Sequence, residues 1–173
     1  MHRTLKKLAV SAAATVAAVA GAVAVRPGTA QAAGNFTAWL SPASNPYIFA
    51  DVQSASTSTL APVILYHWTG GTNQKWTFWQ QASGYYLIQN LNSGKCLWSD
   101  GVSGHQVLQV PCDGNQYELW RTSVTTDYIG RTIQNVSSGL YLEVYQDART
   151  DGAKLDTYWW TGGGNQYFQA TPA

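Results

Sequence analysis

Charge is scarce in this chain, and it does not cluster. Only 11% of the residues are Asp, Glu, Lys or Arg, and no basic stripe runs among them. Nucleic acid and anionic membrane are therefore poor partners, because both are recognised through concentrated positive charge. Cysteine is rarer still, with Cys96 and Cys112 alone. Together with the scattered His67 and His105 they fall short of the four closely spaced ligands of a zinc site, so no metal and no cofactor is expected. Beyond Ala32 helical periodicity is missing, and no Ser-His-Asp set stands out. What remains is aromatic: eight Trp and ten Tyr, all after Ala32, with few charges around them. That composition suits uncharged, hydroxyl-rich ligands better than ionic ones.

The stretch from Met1 to Ala32 reads as a secretory signal peptide. His2, Arg3, Lys6 and Lys7 give a basic start, Leu8 to Val25 an apolar run, and Ala30-Gln31-Ala32 a small-x-small exit. A transmembrane anchor is the competing reading of that run, since its length is near the lower limit for crossing a bilayer. The order of the three regions favours cleavage and a secreted, extracellular product without membrane insertion. The whole chain has 10 Lys and Arg against 9 Asp and Glu. The leader holds Arg3, Lys6, Lys7 and Arg26, which leaves six against nine, a net of −3. Residues 33–173 are long enough for one domain with a real core. In an exported domain of this size the default state of Cys96 and Cys112 is one disulfide bond.

Short β-favouring runs, such as Tyr85-Tyr86-Leu87-Ile88 and Tyr141-Leu142-Glu143-Val144, alternate with turns such as Asn92-Ser93-Gly94. Such a pattern reads as an all-β sandwich or barrel. Repeats refine it. Ile88-Gln89-Asn90-Leu91-Asn92-Ser93-Gly94 returns in a later stretch as Ile133-Gln134-Asn135-Val136-Ser137-Ser138-Gly139. WTGGTNQKW (Trp68 to Trp76) returns at about twice that offset as WTGGGNQYF (Trp160 to Phe168). The chain thus divides into three units, about 35–80, 81–125 and 126–173. The middle copy of the nine-residue block runs from Cys112 to Trp120. In this alignment Cys96 matches Phe49 and Tyr141, and Cys112 matches Trp68 and Trp160. The aromatic pairs Phe49–Trp68 and Tyr141–Trp160 are therefore expected to stand where the middle unit has its disulfide.

Three units of this length, each ending in a Gln-x-Trp (QxW) motif, resemble the ricin B-type lectin family. Gln74-Lys75-Trp76 fits in full, Gln166-Tyr167-Phe168 puts Phe for Trp, and Glu118-Leu119-Trp120 keeps only the Trp. The resemblance spans residues 33–173. It implies a β-trefoil of twelve strands, with the motif aromatic in a shared core and the motif Gln supporting a loop. A single unit of this kind cannot bury its own apolar face.

The resemblance also implies carbohydrate-binding pockets. Each would hold an acid, then an aromatic ring, then an Asn with the motif Gln beside it. In the first unit these positions are Asp51, Tyr66, Asn73 and Gln74. In the third, at identical spacing, they are Glu143, Tyr158, Asn165 and Gln166, the acid being one methylene longer. In the middle unit Trp98, Val110 and Tyr117-Glu118 occupy them, so that pocket is expected to be lost. A carboxylate, a ring and an amide suit a sugar because its edges are hydroxyls and its faces are C–H groups.

Three functions compete. A secreted, non-catalytic lectin binding an oligosaccharide or polysaccharide is the expectation. A glycosidase needs two carboxylates facing each other across a bond, and Asp51 and Glu143 fall in different units. A protein-binding trefoil, such as a protease inhibitor or a targeting subunit, needs an exposed rigid loop. The 122–126 and 42–46 segments are candidates for it, but nothing in them marks the role.

Overall fold

A computed structural model describes residues 34–124 and 130–173. The expected signal peptide lies outside the described residues, as does the end of the 122–126 segment. The first unit holds β1 (Phe36–Pro42), β2 (Ile48–Val52), β3 (Val63–His67) and β4 (Lys75–Gln80). The second holds β5 (Tyr86–Asn90), β6 (Cys96–Trp98), β7 (Leu108–Val110) and β8 (Leu119–Val124). The third holds β9 (Arg131–Asn135), β10 (Tyr141–Val144), β11 (Leu155–Tyr158) and β12 (Phe168–Pro172). The strand groups coincide with the three units read from the repeats, called lobes one to three below.

Six strands pair antiparallel in a closed ring, β1–β4–β5–β8–β9–β12 and back to β1. Closure leaves no unpaired ring edge. The other six form three hairpins, β2–β3, β6–β7 and β10–β11. These hairpins are joined by three bridges, Pro62 to Leu108, Gln106 to Asp156 and Lys154 to Ile64. The three bridges link equivalent positions in successive lobes, so the threefold pattern of the sequence is also a threefold pattern in space. This is a β-trefoil.

The motif aromatics Trp76, Trp120 and Phe168 are at most 1% exposed and share one core with Leu40, Ile88 and Ile133. A buried indole N–H needs an acceptor. Trp76 Nε1 donates to the Ala50 carbonyl and Trp120 Nε1 to the Leu97 carbonyl, both at 3.0 Å. Phe168 has no ring N–H and needs no such acceptor.

Cys96 and Cys112 form a disulfide across 16 residues. Phe49 and Trp68 pack edge to face with centroids 5.3 Å apart, and Tyr141 and Trp160 lie 4.8 Å apart. All three lobes thus fasten the second strand to the loop before the motif, one covalently and two by ring contact.

Candidate functional site

The nine-residue block has a steric logic. Gly70 and Gly162 have φ of 72° and 74°, the left-handed region that favours glycine. The next glycine is needed for room. A Cβ on Gly71 would stand 2.4 Å from Asn73 Oδ1, and one on Gly163 would stand 2.5 Å from Asn165 Oδ1. In lobe two the left-handed Gly114 persists, but Asn115 replaces the second glycine, and Tyr117 replaces the Asn that required it. Glycine and asparagine come and go together.

The motif glutamines lie beneath the clefts rather than in them. Gln74 is fully buried; its Oε1 accepts from the Thr69 N–H at 3.0 Å and its Nε2 donates to the His67 carbonyl at 2.8 Å. Gln166 is likewise buried and ties the Thr161 N–H (2.8 Å) to the Trp159 carbonyl (2.7 Å). Both brace the loop between ring and Asn. Glu118, equally buried, does the same in lobe two by accepting from the Asp113 and Gly114 N–H groups, both at 3.0 Å.

In lobe one, Asp51 on β2, Tyr66 on β3 and Asn73 line one cleft of about 480 Å3. Asn73 Nδ2 donates to Asp51 Oδ2 at 2.8 Å, which fixes the carboxylate at the floor. Burial raises the Asp51 carboxyl above its ordinary range, opposed by amide hydrogen bonds from Gln74 and Asn73. Tyr66 is half-buried and shares this cleft, as a stacking role would require.

In lobe three, Glu143, Tyr158 and Asn165 line a second cleft of about 500 Å3. The longer acid is held differently. Gln166 Nε2 donates to Glu143 Oε2 at 2.8 Å, while Asn165 Nδ2 donates to the Val144 carbonyl at 3.0 Å. Across the hairpin Glu143 faces Asp156, where Asp51 faces Ile64. Burial and the Asp156 charge push the Glu143 carboxyl up to about 7, against the Gln166 amide and Lys154. Asp156 is itself raised by burial and lies 3.4 Å from Lys154 Nζ. All eight residues picked out by spacing therefore gather in two places, six lining the clefts and two bracing them.

Spacing does not reveal the rims. Asp151, from lobe three, lines the lobe-one cleft. Its two oxygens accept from the His67 backbone N–H (2.7 Å) and pair with His67 Nδ1 (2.6 Å). The His67 ring in turn lies 4.3 Å from that of Tyr66. Consecutive non-glycine residues with positive φ border both clefts, Ser54 and Ala55 (58° and 50°) in lobe one, Gln146 and Asp147 (54° and 52°) in lobe three. Such strain persists where the surroundings hold it, as functional rims do.

The architecture and the braced Gln-x-Trp block define a trefoil of the lectin class. The family model described as ricin-type beta-trefoil lectin domain-like matches residues 29–101 and 72–158. The chain belongs to this family. It is similar to the designed threefold-symmetric protein ThreeFoil, with 30% identity and a TM-score of 0.76 over 79% of this chain and 99% of that one. It is similar to the C-half of an earthworm R-type lectin solved with GalNAc, with 18% identity and a TM-score of 0.64 over 80% of this chain and 99% of that one. An exo-beta-1,3-galactanase from Clostridium thermocellum matches with 21% identity and a TM-score of 0.73 over 80% of this chain. The chain spans 30% of that galactanase and 18% of a mosquitocidal holotoxin it also resembles. No curated protein sequence matches it.

Proposed function

We propose that this protein is a secreted, non-catalytic lectin that binds sugars through the clefts of lobes one and three. The observation that carries the reading is the meeting of acid, ring and amide in one cleft, twice, at equivalent places. Asp51 and Asn73 take and give hydrogen bonds at a sugar's hydroxyl edge while Tyr66 covers its C–H face. A carboxylate makes charge-assisted bonds, stronger than neutral ones. Asp151, the other carboxylate of the lobe-one cleft, is tied through both oxygens to His67, which favours a rim-positioning role over partnership with Asp51 across a glycosidic bond. Open clefts of this kind bind weakly one at a time, because ordering and desolvation offset much of the contact energy. Two on one rigid body raise avidity for a polymer carrying repeated sugars.

A glycan array probed with the wild type, Asp51→Ala and Glu143→Ala tests this. The expected result is sugar-specific signal in the wild type, reduced in each variant and lost in the double variant. No signal on any glycan, or full signal in the double variant, overturns the reading.

A further inference from the structure

A third hollow, of about 350 Å3, lies beside the lobe-one cleft and is lined by four aromatic side chains, Trp39, Tyr47, Phe49 and Trp68. Tyr47 is 81% exposed and Trp68 47%. Trp68 packs against Trp39 with centroids 4.6 Å apart, and against Phe49 on its other flank. Gln169 and Thr171 of β12 supply a polar edge, and no lining residue is charged.

The strand beside the hollow differs from its counterparts in the other lobes. Strand register makes Ser41 the equivalent of Gln89 and Gln134, since Pro42, Asn90 and Asn135 all face a motif aromatic. In lobe two Gln89 reaches across, donating to the Gly94 carbonyl at 2.8 Å and lying 3.7 Å from Cys112 Sγ. In lobe three Gln134 donates to the Gly139 carbonyl at 2.9 Å. Ser41 is too short to reach so far. Trp68 of the aromatic pair stays 47% exposed, as Trp160 does at 46%, and in lobe one Tyr47 lines the hollow with it.

The hollow adjoins the lobe-one cleft. Phe49 and Tyr66 face each other in the β2–β3 register, so they share one face of the hairpin. Asp51 and Phe49 are two residues apart on β2, so their side chains leave that face about 7 Å apart. The Asp51–Tyr66 cleft and the Phe49–Trp68–Tyr47 wall therefore adjoin along that face, with Phe49 and Tyr66 between them and no lining residue in common.

We infer that this hollow is a second carbohydrate subsite, which receives the next units of the glycan whose first unit sits at Asp51. The inference rests on the lectin reading of the lobe-one cleft. Rings present stacking faces, Gln169 and Thr171 offer hydrogen bonds at the edge, and the lining itself is uncharged, with Lys75 Nζ 5.3 Å from the Trp39 ring, which suits a neutral chain. Lobe one is thereby specific for an oligosaccharide rather than for a single sugar.

The test is calorimetric titration with ladders of galactose, xylose and mannose oligosaccharides, from one unit to four, in a Glu143→Ala background that leaves lobe one alone. Tyr47→Ala is the probe variant, since so exposed a side chain carries little of the fold. A ring stack of this kind is worth up to about tenfold in affinity. The expected result is affinity that rises by about that factor with length and loses the rise in Tyr47→Ala, while the single sugar binds both proteins alike. An equal rise with length in Tyr47→Ala overturns the subsite and leaves the Asp51 cleft standing. A Tyr47-dependent self-association seen by sedimentation, with no length dependence, overturns it in favour of a second copy of the chain. Failure of every sugar at every length takes the lectin reading down with it.

Discussion

Lobes one and three hold nearly the same nine residues and the same three-part cleft, yet their acids differ by one methylene. That methylene changes the set of partners: both Asn73 and Gln74 hold Asp51, whereas Gln166 holds Glu143 and Asn165 turns to the Val144 carbonyl. The residue across the hairpin differs too, Ile64 in one and Asp156 in the other. The lobe-one acid is held both from beneath, by Gln74, and by Asn73, which itself faces the cleft. The lobe-three acid is fixed from beneath, beside a second buried carboxyl. An identical motif thus yields two electrostatic settings. Lobe two shows the third outcome, in which the cleft residues are gone and the loop brace and the fastening survive.

The largest expected effect separates fastening from binding. Removing the disulfide by Cys96→Ala with Cys112→Ala should lower stability by about 3 kcal/mol, as for a closed loop of this length. Sugar affinity should hardly change, because lobe two has no cleft of its own. Chemical denaturation beside calorimetry checks both halves. Next, Asp51→Ala should weaken the lobe-one site by about 2 kcal/mol, the scale of hydrogen bonds to a charged group. Glu143→Ala should cost less, and equal losses would erase the contrast between the lobes. Gly71→Ala should then weaken lobe one by about tenfold through displacement of Asn73, a loss of ~1.4 kcal/mol. Its melting temperature should stay near that of the wild type, while Asn115→Gly in lobe two leaves binding untouched.

The smallest effect is the most diagnostic. With Glu143 titrating at about 7, sugar binding to lobe three needs its carboxylate and should weaken on acidification. Measured in an Asp51→Ala background, affinity should fall about threefold from pH 7.5 to 6.5. Stability runs the opposite way. Folding raises the Glu143 pKa from 4.5 to about 7, so between those values the folded chain keeps a proton that the unfolded chain has released. Stability should therefore fall as pH rises through that window, and Glu143→Gln should flatten the slope.

Much of this is legible along the chain. Trp76, Trp120 and Phe168 in phase, with their turns, mark the three lobes. The shared spacings from Asp51 and Glu143 reach the rings and amides that line the clefts, because β2–β3 and β10–β11 are hairpins that place equivalent positions alike. The aromatic pairs opposite Cys96 and Cys112 follow from the same alignment. The family pattern gives the glutamines two roles, loop support and a place beside the sugar; the hydrogen bonds of the buried Gln74 and Gln166 match the first, since adjacency in sequence does not say on which side of a loop a side chain falls. Asp151 as a rim of the lobe-one cleft and the hollow under Tyr47 escape the pattern entirely. Each depends on contact between lobes or across strands, and no local spacing encodes it.

The equivalence of three turns has a practical corollary. Leu60, Gly104 and Gly152 each donate a backbone hydrogen bond to the matching residue of a neighbouring hairpin, Gln109, Thr157 and Leu65. Each acceptor directly precedes the ring position of its own lobe, Val110, Tyr158 and Tyr66. The residues before the donors, Thr59, Ser103 and Asp151, are therefore counterparts. A symmetric chimaera made by triplicating lobe one would copy Asp51, Tyr66 and His67 faithfully and still place Thr59 where Asp151 belongs. Its imidazoles would lose their anchoring acid in all three copies, unless Thr59→Asp were grafted in at the same time.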